Sequence, residues 1–388
     1  MGLALLGCHA PVRESRLPPR PVAAPVPPPV VTVNVPDPLV VVPAVPLEGE
    51  APPAPGLHLP PSSEWPTNWF NAWIPLETWS RFNHLDKPVR LPATARPTFQ
   101  IRSTHRTVSV QVGSRTAHCD GLECWLNHAP QLINGAPYVH WLDARKTLQP
   151  LVSPFPVRNG HRPTVVIDPG HGGRDGGTRS CVNGDLEKTY TLDWARRLGP
   201  LLEAQGWKVV FTRTNDVDLP LTNRVAIAER ARADLFLSLH FNSAEPNRAL
   251  AGVETYCLTP TGMTSHLLRE FEDDPASIFP NNAFDEQNVQ IAFSLHQAVV
   301  RETGAVDRGV RRARFMTVLR GQNRPAVLIE AGYLSNPDEA RRAATPAYRQ
   351  QLARAVASAL AGLSATAPAV DYSDSGTDTT PESASSLR

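Results

Sequence analysis

Thr164-Val-Val-Ile-Asp-Pro-Gly-His-Gly-Gly-Arg-Asp-Gly-Gly177 couples a short apolar run to a turn crowded with glycine. The run Thr164–Asp168 reads as a buried strand. The glycines after it mean that the backbone turns tightly around His171. From this point the chain alternates. Leu186 to Gln205 sets Leu186, Tyr190, Trp194, Leu198, Leu201 and Leu202 on one helical face, with Gly206 as the stop. Lys208–Thr212 is the next strand, and Thr222–Ala233 a helix with Thr222 as its N-cap. Strands Leu235–His240 and Val253–Leu258 precede a helix from about Phe284 to Glu302. Phe315–Leu319 and Ala326–Glu330 read as the last strands, and Ala347–Leu363 as a closing amphipathic helix. Such alternation predicts an α/β domain over 161–364, a three-layer α/β/α arrangement in which a mostly parallel sheet is covered on both faces.

The whole chain is 388 residues with Lys+Arg 38 against Asp+Glu 37, a net charge of +1. No basic field points to nucleic acid, and no apolar run reaches the roughly 18 residues of a spanning helix. Of the 40 prolines, 17 fall between Pro11 and Pro61. Residues 11–62 therefore read as an extended, semi-rigid spacer. Ahead of it, residues 1–10 end on Leu5-Leu6-Gly7-Cys8, which resembles a bacterial lipobox although no charged n-region precedes it. A lipid on Cys8 would tether the chain; without one, the same stretch is a disordered leader.

Residues 63–160 hold six of the eight tryptophans (Trp65, Trp69, Trp73, Trp79, Trp125 and Trp141), and Thr107–Val112 alternates as a strand. This is a small α+β accessory domain, similar to the stalk modules of some envelope enzymes through Gly121, Leu126, Pro130, Asn134-Gly135 and Tyr138. Cys119 and Cys124 can close a short loop in an oxidising compartment, while Cys181 and Cys257 are left undecided. Residues 365–388 read as a disordered tail.

The glycine loop fits neither nucleotide motif. A dinucleotide fingerprint from Gly170 needs glycine at Asp175, and a phosphate loop needs lysine at Thr178. His171 instead sits just past the end of a strand, His240 ends Leu235–Leu239, and Glu330 ends Ala326–Ile329. Open α/β sheets place their sites there, and an ionisable group at the end of an apolar strand is costly without a partner. Glu187, in the first turn of the following helix with Asp185 as N-cap, lies at the same rim. Two imidazoles and a carboxylate make a catalytic zinc site, and a second glutamate can take a proton from the water there. No His-Glu-x-x-His motif occurs, and no nucleophile elbow supports a Cys181 hydrolase.

Taken together, Thr164–Thr178, Glu187-Lys188, Arg224, Ala233–Asn242, Arg308-Gly-Val and Ile329–Pro337 resemble the zinc-dependent N-acetylmuramoyl-L-alanine amidases of bacterial cell-wall turnover. The resemblance implies a twisted six-stranded sheet between helices. It implies one Zn2+ held by His171, Glu187 and His240, with Glu330 as general base for the zinc-bound water. Hydrolysis would cut the amide between N-acetylmuramic acid and the L-alanine of the stem peptide. The expected setting is the cell envelope or periplasm, with peptidoglycan as substrate and a membrane reached only through a lipid anchor at Cys8. No nucleic-acid partner and a monomeric chain are expected. Some relatives carry a helix that plugs the zinc site until a protein activator removes it. Here Thr261–Gln287 stands in that place, with Glu270, Glu272, Asp273 and Asp274, and self-inhibition by 262–286 stays open. Arg224, Asn242 and Arg308 read as structural braces as readily as substrate contacts. A zinc peptidase acting within the stem, or a wall-binding module with structural zinc, is the alternative; Glu330 argues against the module, since a structural site needs no base.

Overall fold

A computed structural model describes residues 71–92, 94–153, 162–267 and 274–364. Cys8, the proline-rich stretch 11–62, Trp65, Trp69, the acids Glu270, Glu272 and Asp273, and the tail 365–388 lie outside the described residues.

The first part runs β1 (Trp73–Pro75), α1 (Leu76–Phe82), β2 (Val89–Arg90), β3 (Thr98–Arg102), β4 (Thr107–Gln111), β5 (Thr116–Cys119) and β6 (Leu122–Trp125). It continues with β7 (Gln131–Ile133), β8 (Ala136–His140) and the short helical pieces α2 (Trp141–Asp143) and α3 (Gln149–Val152). The second part begins β9 (Thr164–Pro169), α4 (Glu187–Ala204), β10 (Lys208–Phe211), α5 (Leu221–Arg230), β11 (Leu235–Asn242) and β12 (Val253–Cys257). It ends α6 (Asp285–Thr303), β13 (Asp307–Arg312), α7 (Thr317–Arg320), β14 (Ala326–Tyr333), α8 (Pro337–Ala344) and α9 (Pro346–Ser364).

Strands β10-β9-β11-β14-β12-β13 form the expected six-stranded, mostly parallel sheet; only β12 against β14 is antiparallel. Period-two alternation sends Val165, Ile167, Leu237, Leu239 and Ile329 into one core with α4, α6 and α9. Val166, Phe236, Ala326 and Leu328 go into a second core with α5 and α7. Strands β9, β11 and β14 are apolar on both faces because both faces are covered, and this gives the three layers.

The sheet does not end at six strands. Beyond β13 it continues as β6-β5-β4-β3-β2, giving eleven strands. The join is narrow, one register pair between Val310 and Cys124, and side chains reinforce it. Asp307 accepts from the Glu123 amide at 2.7 Å and faces His296 Nε2 at 2.8 Å, while His296 Nδ1 lies 3.1 Å from Thr255 Oγ1. Arg311 stacks on the Trp125 ring at 4.6 Å.

Three local expectations are corrected. Phe315–Leu319 is not a strand: the helical turn α7 occupies its end, and the strand lies upstream at Asp307–Arg312. That strand hides in the sequence because arginines fill two of its four buried positions. Arg311 is paired with Glu254, and Arg312 donates to Met263 Sδ and the Lys146 carbonyl. Cys119 and Cys124 are free thiols. They sit in one hairpin but out of step, with Cys119 opposite Leu122 and Cys124 opposite Ala117; burial pushes the Cys119 thiol up to about 12. Finally, Asp185 and Thr222 cap nothing, since α4 starts at Glu187 behind Leu186 and α5 at Leu221 behind Pro220.

Candidate metal centre

The site lies where the parallel strands end. Asp168, Ser238, His240 and Glu330 lie in phase with the residues of the second core, so they share one sheet face. Asp168 is completely buried and forms the floor. It accepts from Thr212 Oγ1 at 2.6 Å and Ser238 Oγ at 2.7 Å, and pairs with Arg224 Nη1 at 2.7 Å. Arg224 also donates to the carbonyls of Pro169 and His171, at 2.9 and 2.7 Å. Arg213, likewise buried, donates to the carbonyls of Pro169, Gly170 and Lys188 at 3.0, 2.8 and 2.8 Å. Two guanidiniums thus satisfy carbonyls at the start of the loop, whose Gly172 and Asp175 pair with each other through the backbone.

That loop presents His171 with φ 62°, in the left-handed region that a non-glycine residue enters at a cost of about 1–3 kcal/mol. The glycines around it are steric requirements. A Cβ on Gly170 would come within 2.2 Å of His240 Cε1, and one on Gly177 within 2.5 Å of Glu187 Oε2. His171 Nδ1 is engaged by Asp175 Oδ2 at 2.9 Å, which turns Nε2 toward Glu187 Oε2 at 3.1 Å. Such an outer carboxylate fixes the orientation of a ligating imidazole.

Glu187 opens α4 and is 2 % exposed. Amides hold its carboxylate from two sides: Thr178 N donates to Oε2 and Phe241 N to Oε1, both at 3.0 Å. Oε1 also lies 2.9 Å from His240 Nδ1. Burial favours its protonation, but the hydrogen bonds and charges of His171 and His240 outweigh burial and hold Glu187 at about 2. The His171 and His240 rings stand edge to face with centres 4.9 Å apart, and one donor atom from each of His171, Glu187 and His240 lies within 4.8 Å of the others. Two imidazoles and a carboxylate so arranged can hold a metal ion.

Glu330 stands on the neighbouring strand β14, in register with His240 on one side and Glu254 on the other. Its Oε2 is buried without a hydrogen-bond partner. Burial and the charges of Glu187 and Glu254 push its carboxyl well above the ordinary glutamate value. Glu254, by contrast, is fully served, by Tyr256 Oη at 2.6 Å, Arg308 Nε at 2.9 Å and Asn242 Nδ2 at 3.0 Å. Of two carboxylates on adjacent strands, one is neutralised and one is held without compensation.

A family profile, N-acetylmuramoyl-L-alanine amidase, matches residues 165–362, half of the chain. The chain belongs to that family. The N-acetylmuramoyl-L-alanine amidase AmiC of Neisseria meningitidis serogroup B is 34% identical over 221 residues, 52% of this chain and 52% of that protein. AmiA of Escherichia coli K12 is 32% identical over 225 residues, 53% of this chain and 77% of the relative. This amidase-family chain spans about half the length of the first of these curated relatives. Among solved structures, the catalytic domain of the Paenibacillus polymyxa amidase CwlV matches 52% of the chain and 97% of its own, with 30% identity and a TM-score of 0.43.

All four residues singled out by the sequence come to one rim, and Arg224 is a brace. Arg308 and Asn242 serve Glu254. Sequence reasoning missed Asp175, Arg213 and Glu254. Asp175 lies four residues after His171, and Glu254 is the one acid in the buried run Val253–Cys257, the same signal that marked Glu330. Arg213 has no pattern to betray it. In the segment 262–286, whose self-inhibitory role the sequence leaves open, Asn281 donates to the Arg324 carbonyl at 2.7 Å and Asp285 pairs with Lys146 at 3.0 Å, so its end is fastened into the fold.

Proposed function

We propose that the chain is a peptidoglycan hydrolase that cleaves the amide between N-acetylmuramic acid and the L-alanine of the stem peptide. One zinc ion would be held by His171, Glu187 and His240, with Glu330 as general base. The observation that carries this reading is the pairing of a nitrogen-rich donor set with a buried, unpartnered carboxylate oxygen beside it. Imidazole donors favour zinc over magnesium or calcium, and membership of the amidase family supplies the substrate class.

When bound, the ion acidifies a water and polarises the scissile carbonyl. The protein's own part is placement and proton movement. Asp175 holds the His171 ring, and the Thr178 and Phe241 amides hold the Glu187 carboxylate, so the donors are ordered in advance. Glu330 Oε2 takes the proton of the attacking water and delivers it to the departing amine of L-alanine. Its elevated affinity for a proton suits both steps. We place the reaction in the cell envelope, where this polymer lies.

The test is digestion of purified peptidoglycan by the full chain, with released fragments identified by mass. Intact stem peptides with a free L-alanine amino end support the reading. Shortened stems that remain on the glycan would instead identify a peptidase.

A further inference from the structure

We propose that His128, His140 and Asp143 form a second site for a divalent transition-metal ion, outside the catalytic rim. The three come together from the loop after β6, the end of β8 and the end of α2, and one donor atom from each lies within 4.8 Å of the others. Asp143 is completely buried. The amides of Asn127 and His128 donate to its two oxygens at 2.6 and 2.8 Å, and His128 Nδ1 lies 3.1 Å from Oδ2. Among the described residues no lysine or arginine pairs with it; its ion-pair contact is that imidazole. A buried carboxylate so placed is short of positive charge.

The two imidazoles lie face against face, with ring centres 3.8 Å apart and a tilt of 32°. His140 Nδ1 already accepts from the Leu142 amide at 3.3 Å, which leaves Nε2 to ligate. Trp73 sets its edge against both rings, at 6.2 and 5.5 Å, and walls one side. His128 keeps 34% of its side chain exposed, so an ion reaches the site from solvent. Two imidazoles sharing one tetrahedral ion stand ~5 Å apart at the ring centres, and loading therefore swings the half-exposed His128 ring off the stack. The donor set selects zinc, cobalt, nickel or copper over magnesium or calcium. The ion would pin the 127–128 loop to the end of β8. That loop is in turn tied to the segment after β12 by Asn127 and the Thr264 amide at 3.0 Å.

The experiment uses the full chain, stripped by chelator, dialysed against zinc and analysed for bound metal; cobalt loading supplies an absorption spectrum for each site. The wild type is expected to bind two ions. His171→Ala is expected to keep one, His128→Gln to keep one, and the double variant to keep none. The proposal is overturned if the wild type binds one ion that His171→Ala abolishes, or if the ion left in His171→Ala survives His128→Gln. The His171→Ala result stands even if His128→Gln does not fold, because it reads the second site with all three of its residues in place.

Discussion

Glu330 Oε2 is a buried acceptor with nothing to accept, flanked by the charges of Glu187 and Glu254. A fold that raises a carboxyl's pKa prefers its protonated form. The penalty is absent below the unfolded value of about 4.3 and grows as pH rises toward the folded value. In the metal-stripped chain, Glu330→Gln should therefore raise Tm at neutral pH, by roughly 2–4 °C for each kcal/mol relieved, with the gap closing as pH falls toward 4. A melting series of both proteins across pH checks this, and a gap that widens in acid would refute it. Asp175 acts through another residue. Asp175→Ala removes the 2.9 Å contact that orients His171 while leaving every donor in place. It should weaken metal binding at the rim by about 10–100-fold, read by competition with a chelating dye, and leave the circular dichroism unchanged.

Among the elements, the strand ends and the Gly170–Gly177 loop could be read from sequence, because an apolar run that stops at an ionisable residue is a local pattern. What supports the loop could not. Arg213 and Arg224 reach it from the end of β10 and from α5, and such tertiary clamps leave no period in the chain. Strand β13 escaped for a related reason: two of its four buried positions are Arg311 and Arg312, paired or capped only after the fold has formed. The clamp makes a strong prediction. Arg224→Ala leaves Asp168 charged and buried, which costs about 3–5 kcal/mol. Thermal melts should show the largest loss for Arg224→Ala and a smaller one for Arg224→Lys, which keeps the charge.

For the whole molecule, the sequence distinguishes an accessory part from an α/β part but not that they share one sheet. The join rests on one backbone pair and on the chain Thr255–His296–Asp307–Glu123, whose members are far apart in sequence. Asp307→Ala strips the cap from the Glu123 amide and leaves His296 Nε2 without its partner, at about 1–3 kcal/mol. Hydrogen exchange should quicken at β5 and β6 and stay slow at β9 and β11; uniform quickening would mean the join is not a separate weak point.

The most direct test of the account measures metal content and turnover on a single preparation of Glu330→Gln. Because Glu330 moves a proton and holds no ion, metal content should equal that of the native chain, while release of stem peptides from peptidoglycan falls by about 10²–10⁴-fold. Full turnover with metal retained would contradict the role given to Glu330, and loss of metal would make it a ligand instead of the base.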